Sequence, residues 1–283
     1  MVSALFMFVA LAVISSTATK LLNKYVIKET EPYAFAIVTN TLSTIIFFIL
    51  ALSVFKLPKE PIAWVIMGFA AVLWSLIAVF IFYSYKSAEV SIRDPLSQSK
   101  IVIALILGTV FLGETLTTAR IIGTAVIFFG ISTLVYHPER RFGRLSEPGV
   151  KWTFFTAFLG AVVAIVDKAA LQYFNLETYG FMVYFFPAVI LGLLLPKRIG
   201  HVKHLLKIRW KSAVAAIILS TAAYYFTLKS FSLADVTLVY PFLQLATLFT
   251  VLGGIVFMKE REHFWQKIIA VVLVVAGAII LKL

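Results

Sequence analysis

The chain reads AEVSIRDPLSQ from Ala88 to Gln98 and ADVTLVYPFLQ from Ala234 to Gln244. An alanine, an acidic residue, a proline and a glutamine recur in the same order, at an offset of 146 residues. The likeness continues outward from both stretches, and Glu114 falls on Glu260 at the same offset. Small slips in this offset bring almost the whole chain into register with itself. The sequence is therefore a tandem duplication.

The composition of the chain is that of a membrane protein. Hydrophobic residues make up 61% of it, whereas soluble domains average roughly 45–50% apolar residues. A helix needs about 20 apolar residues to cross the hydrocarbon core of a bilayer. Ten stretches have about that length: 3–22, 33–55, 62–85, 91–112, 117–136, 152–172, 178–195, 212–231, 236–257 and 264–282. We therefore predict an all-α integral membrane protein with ten transmembrane helices.

The two repeats enter the membrane from opposite sides, because each contains five apolar stretches and five is an odd number. We assign the first five-helix repeat to residues 1–136, a linker to 137–150 and the second five-helix repeat to 151–283. The linker contains Pro138 and Gly143 among its charges, which is typical of a loop. Inverted repeats of this kind are common in secondary transporters, where the substrate site lies near the middle of the bilayer.

The net charge of +12 follows the pattern that orients membrane proteins. The loops after the odd-numbered stretches contain 16 lysines and arginines, whereas the opposite set contains five. Loops rich in these residues stay on the cytoplasmic side, so both termini are predicted to be non-cytoplasmic. Since topology accounts for the basic excess, nucleic acid is not an expected partner.

One cytoplasmic loop also contains apolar side chains. The stretch from Pro196 to Lys211 mixes Leu205, Leu206 and Trp210 with its cations. This mixture is typical of an amphipathic helix on the membrane surface, and a solvated loop is the alternative.

Several positions carry the same type of residue in both repeats: Pro95 and Pro241, Glu114 and Glu260, Arg120 and Lys267, Gly130 and Gly277. Together with Leu112-Gly113-Glu114, this pattern resembles the EamA-type family of the drug/metabolite transporter superfamily, and the resemblance covers both repeats. It implies a ten-helix exporter or exchanger of small metabolites in the plasma membrane. It also implies a central cavity lined largely by helices one, three, four, six, eight and nine.

The fourth stretch carries charges that its counterpart in the second repeat lacks. Arg93, Asp94 and Lys100 lie within it or at its start. Ionisable groups inside a bilayer cost at least about 2.5–3.5 kcal/mol each, so they usually face a cavity or a partner. Arg93, Ser97 and Lys100 share one face of a helix because they are spaced i, i+4 and i+7. Two interpretations follow: a cationic patch that binds an anionic substrate, or a structural network in which Asp94 neutralises the cations.

Aromatic and amide side chains complete the predicted substrate site. Gln98 and Gln244 are matched between the repeats, and the aromatic candidates lie on helices expected to line the cavity. The predicted substrate-binding residues are Arg93, Ser97, Gln98, Lys100, Trp74, Tyr83, Tyr225, Tyr240 and Gln244. Pro95 and Pro241 are predicted to mark equivalent helix bends, because proline cannot donate a backbone hydrogen bond.

Two further features have structural interpretations. Glu114 falls where the fourth helix ends, which favours a helix cap or an ion pair with Arg120 over proton coupling. Gly123 and Gly130 are seven residues apart and share one helical face, where a neighbouring helix can approach closely. That neighbour is either another helix of the same chain or a second copy in a homodimer.

Neither an enzyme nor a cofactor is expected. The chain has no cysteine and no glycine-rich phosphate loop, paired catalytic carboxylates or catalytic triad. His201 and His204 are three residues apart without a third ligand nearby, so no metal site is expected.

The sequence thus predicts a secondary transporter of a small polar organic metabolite, with an anion as one candidate, that works by alternating access. The expected partners are this small-molecule substrate and the lipid bilayer. The alternative is a lipid-handling, flippase-like protein or a non-transporting membrane scaffold.

Overall fold

The computed structural model describes residues 2–27, 30–87, 97, 99–135, 148–194, 199–250 and 264–282. In these ranges the regular secondary structure is α-helical. The helices are α1 (Val2–Ile27), α2 (Pro32–Ala51), α3 (Pro61–Ser87), α4 (Ser99–Leu112), α5 (Thr118–Val135), α6 (Pro148–Ala170), α7 (Leu176–Leu194), α8 (Ile199–Leu233), α9 (Val236–Leu243) and α10 (Phe264–Lys282). Each of the ten predicted apolar stretches overlaps one of them, so the predicted all-helical fold is confirmed.

The helices fall into two groups by length. Among the described residues, α1, α2, α3, α6, α7 and α8 each contain a stretch long and apolar enough to cross a membrane. Shorter apolar helices make up α4, α5, α10 and the segment Val236–Thr250, which includes α9. A turn at Gln244 interrupts that segment three residues after Pro241. The backbone N–H of Gln244 donates to the Pro241 carbonyl at 3.1 Å. Pro95 lies outside the described residues, so the predicted equivalence of the two bends stays a prediction.

Side chains and special backbone positions define several helix boundaries. The Glu31 carboxylate accepts the Ala34 amide at 3.0 Å, and Pro32 occupies the first position of α2, where a missing N–H does no harm. The Asn175 side chain accepts the Thr178 amide at 2.8 Å and caps α7 in the same way. Gly113 follows the last residue of α4 with φ of 66°, a left-handed conformation that glycine adopts without strain.

The basic stretch is helical from Ile199 and forms the first part of α8, so it is not a loop there. Its predicted position on the membrane surface stays a prediction. Arg209 interrupts α8 with φ of −133° and ψ of 22°. On the N-terminal side of this kink, Leu205 is buried against Val26 and Phe35. The Arg209 guanidinium lies 4.1 Å from the centre of the Tyr25 ring. These contacts attach the basic segment to α1 and α2.

The chain divides into two compact units that do not coincide with the repeats. The first comprises Met1–Phe82 and Val166–Ser232, and the second comprises Tyr83–Ile165 and Leu233–Leu283. The first unit thus combines α1, α2 and α3 with α7, α8 and the end of α6. The second combines α4, α5 and most of α6 with α9 and α10. Each unit therefore draws helices from both repeats.

In the first unit, α2 packs closely against α7. Phe47 of α2 is fully buried, and its ring lies over Gly180 of α7. A Cβ atom added to Gly180 would be 2.1 Å from the Phe47 ring. Glycine is therefore required at this position for the two helices to pack.

We expect Gly180→Ala to lower the free energy of unfolding by about 1–3 kcal/mol, the usual cost of overpacking a filled core. Unfolding of the purified protein in mixed detergent micelles would measure it. Gly192→Ala, on the same helix with no atom within 4 Å of the added methyl group, is the matched control. It should be neutral or slightly stabilising, because alanine favours a helix. Equal effects of the two changes would contradict the packing account.

In the second unit, α5 packs against α10 through glycines. A Cβ atom at Gly123 would be 2.9 Å from the Gly277 carbonyl oxygen, and one at Gly130 would be 2.9 Å from the Leu273 Cβ. The predicted close approach of a helix at Gly123 and Gly130 is confirmed, and the neighbour belongs to the same chain. The two glycine faces are covered by each other, so they cannot form a dimer interface. A homodimer through another surface stays a prediction.

Also in the second unit, Glu114 binds the N-terminus of α9. Its two carboxylate oxygens accept the amide hydrogens of Val236 and Thr237, each at 2.8 Å. Arg120 forms an ion pair with Asp235 at 2.8 Å and donates to the Thr237 hydroxyl at 2.8 Å. The predicted capping role of Glu114 is thus confirmed at α4, where its backbone N–H donates to the Gly108 carbonyl at 3.3 Å. The side chain of Glu114 caps α9, which the sequence did not predict. Arg120 pairs with Asp235 rather than with Glu114.

Candidate functional site

A buried carboxylate interrupts the apolar surface of α6. Asp167 lies one turn before the end of this helix and is only 2% exposed. The stretch Lys151–Ala170 that contains it is long and apolar enough to cross a membrane. Because ionisable residues are costly inside a bilayer, one found there is by default a candidate for function.

Three donors from three other helices surround Asp167. The Tyr179 hydroxyl of α7 donates to Oδ1 at 2.7 Å, and the Trp74 indole N–H of α3 donates to the same oxygen at 3.3 Å. The Tyr224 hydroxyl of α8 donates to Oδ2 at 3.0 Å. Asp167, Trp74, Tyr179 and Tyr224 are called the Asp167 cluster below. Trp74 belongs to the first repeat and the other three to the second, so the cluster joins the repeats within the first unit.

Aromatic rings enclose the cluster. Trp74 and Tyr224 meet edge to face with ring centres 5.1 Å apart, and Tyr184 meets Tyr224 in the same way at 5.5 Å. Phe47 stacks on Tyr184 at 5.6 Å. Tyr179 and Phe47 are fully buried, whereas Trp74 and Tyr184 are only partly buried. The carboxylate is therefore covered by closely packed rings.

No cation pairs with Asp167 among the residues that the structure describes. Its neighbour Lys168 instead donates to the Phe231 carbonyl of α8. In the described part of the chain, Asp167 is therefore stabilised by hydrogen-bond donors alone.

The predicted substrate residues of the first unit lie at or near this cluster. Trp74 is a member of it. Tyr225 is half-buried, and its ring centre lies 6.3 Å from that of Phe47.

The predicted residues of the second unit have other surroundings. The Tyr240 hydroxyl donates to the Gly160 carbonyl at 3.2 Å, and Gln244 is 5% exposed in the turn after α9. Ser97 and Lys100 are half-buried at the start of α4. Arg93, Asp94 and Gln98 lie outside the described residues, as does the side chain of Tyr83.

Asp167, Tyr179 and Tyr224 were missed by the sequence analysis. The signal was a single aspartate within the apolar run 152–172, which by itself predicts a buried polar site. The two tyrosines carry no such signal, because aromatic residues are common in transmembrane helices and neither position is marked by the repeat.

A bundle of apolar helices built from two repeats, with a buried polar cluster that joins them, is the architecture of an integral membrane protein. The family model of the EamA-like transporter family matches residues 3–136 and 147–283, one match for each repeat. The chain belongs to this family. The resemblance, the inverted two-repeat architecture and the prediction that the protein is not an enzyme are thereby confirmed.

A solved structure supports the same fold. A crystal structure described only as that of a protein is similar to this chain, with a TM-score of 0.79 at 16% sequence identity. The match covers 98% of this chain and 96% of that one. No curated protein matches the chain in sequence.

Proposed function

We propose that this chain is a secondary transporter that moves a small polar organic metabolite across the plasma membrane by alternating access. The observation that carries the proposal is the Asp167 cluster, in which polar groups of both repeats meet inside otherwise apolar helices. Small-molecule sites are mostly apolar and aromatic with a few placed polar groups. The partly buried Trp74, Tyr184 and Tyr225 beside the cluster fit that description.

Anionic metabolites are included in the proposed substrate class. The support is the pair of cations Arg93 and Lys100, which the corresponding stretch of the second repeat lacks. Because the second repeat folds without these two charges, a role toward the substrate accounts for their presence in the first.

Uptake and exchange of a panel of radiolabelled metabolites by proteoliposomes would test the proposal. We expect saturable transport of at least one polar metabolite, absent from vesicles without protein. The same vesicles, loaded with fluorescent lipids, would test the flippase-like alternative. Lipid translocation without metabolite transport would overturn the proposal in favour of that alternative, and the absence of both would favour a scaffold.

We also propose that both termini face the non-cytoplasmic side, as the distribution of basic residues indicates. The chain has no cysteine, so single cysteines can be introduced without background. A cysteine beside Arg141 should be protected from an impermeant thiol reagent in intact cells, whereas one added after Leu283 should be labelled. The reverse pattern would invert the proposed orientation.

A further inference from the structure

Asp167 has two properties that compete with each other. Its burial inside a membrane helix favours the neutral acid, because a charged group loses its hydration there. Its three donors favour the carboxylate, because hydrogen bonds to an ionised group are stronger than those to a neutral one. In the described part of the chain no cation pairs with it, so none of the described side chains fixes the ionised form by a countercharge.

The surroundings suit a proton better than a larger cation. The described residues contain no group of three or more metal-ligating side chains, and the groups around the carboxylate direct their hydrogens toward it. An indole N–H is a donor only and cannot bind a cation through its nitrogen. The fully buried Tyr179 is in contact with the carboxylate, which opposes entry of an organic ammonium group. A proton needs no additional space.

Protonation would change the contacts between helices. A protonated carboxyl becomes a donor at one oxygen and needs an acceptor there. Trp74 cannot accept, whereas the Tyr224 hydroxyl, alone on Oδ2, can rotate and do so. The hydroxyl hydrogen of Tyr224 must then point away from the carboxyl group. One proton thus alters how α6 is joined to α8, while α3 and α7 keep their donors on Oδ1.

We propose that Asp167 is the proton-binding site that couples the transporter to a proton gradient. Oδ2 takes a proton from water on one side of the membrane and returns it to water on the other, with Tyr224 reversing its hydrogen bond at each step. Among the described residues, the titratable groups that face Asp167 are Tyr179 and Tyr184 of α7 and Tyr224 of α8, while α3 contributes Trp74. Lys168 on α6 itself is held by the Phe231 carbonyl. The coupling role rests on the proposed transport function, but the proton site does not.

Infrared difference spectroscopy of the reconstituted full chain tests the site without any substrate. On acidification, the wild type should gain the C=O stretch of a protonated carboxylic acid, and Asp167→Asn should lack that component. Tyr224→Phe removes one donor and should move the pH midpoint of the band, whereas Tyr173→Phe, a nearby tyrosine with no bond to Asp167, should not. If Asp167→Asn does not fold, the comparison of Tyr224→Phe with Tyr173→Phe still tests whether the band belongs to Asp167. Identical spectra in the variants and the wild type would overturn the proposal.

Transport in proteoliposomes with an imposed pH gradient tests the coupling. The ratio of metabolite accumulation with the pH gradient to accumulation at equal pH should exceed one in the wild type. In Asp167→Asn this ratio should fall by roughly 5- to 150-fold, whatever the rate of the variant at equal pH. Wild-type transport that ignores the gradient would overturn the coupling and leave the proposed function intact. If the C=O band of Asp167 responds to pH but the protein transports no metabolite, the proposed function and the coupling are overturned. The proton site is then unaffected.

Discussion

Replacing Glu114 with alanine is expected to lower the free energy of unfolding by about 2–6 kcal/mol. The carboxylate satisfies the amides of Val236 and Thr237 at the start of α9. Each buried donor left without an acceptor costs about 1–3 kcal/mol, and the negative charge also favours a helix N-terminus. Unfolding in mixed detergent micelles would measure the loss. Glu114→Gln, which retains one acceptor oxygen, should show a smaller loss.

The matched control for Glu114 is Glu60, an exposed glutamate before α3. Glu60→Gln should change the free energy of unfolding by no more than about 0.5 kcal/mol, as is usual for surface substitutions. Arg120→Gln should fall between the two, because it removes the ion pair with Asp235 and the bond to Thr237 but leaves the cap intact. Equal stability of the Glu114 and Glu60 variants would show that the cap does not hold α9.

Replacing Lys100 with methionine is expected to weaken transport of an anionic substrate by roughly 10- to 150-fold. Methionine keeps most of the apolar stem and removes the cation. A hydrogen bond to a charged group typically contributes about 1.5–3 kcal/mol, which corresponds to that loss in affinity. The concentration dependence of uptake into proteoliposomes would measure it, while insertion and folding should stay near normal.

The alternative interpretation makes a different prediction for the same substitution. If Asp94 is present to neutralise Lys100, Lys100→Met should destabilise the protein and Asp94→Asn should restore its stability. Restored stability together with unchanged transport in the double variant would remove the support for an anionic substrate. Metabolite transport as such would be unaffected by that outcome.

The contacts that define the candidate site are made between residues far apart in the chain. Trp74 and Asp167 are 93 residues apart, and Tyr224 is 57 residues from Asp167. Glu114 lies 122 residues before Val236, the first residue of the helix that it caps. No periodic pattern links such positions. Interpreting Glu114 from its neighbours in sequence therefore identified the cap on α4 but not the one that its side chain forms on α9.

The sequence by itself determined the membrane environment, the ten helices and the duplication. These features are readable because a bilayer requires each spanning segment to be apolar and to satisfy its own backbone hydrogen bonds, which is a local requirement. It also indicated the close helix approach at Gly123 and Gly130, since a small-residue face is visible in the spacing of one helix.

Only the tertiary structure decided which helices pack together, that each compact unit mixes the two repeats, and that Asp167 collects donors from α3, α7 and α8. Packing partners depend on shape complementarity between distant segments. A buried carboxylate becomes tolerable only when several helices bring donors to one point. The aspartate was visible in the sequence from the start, but the three side chains that make it a site were identifiable only after folding.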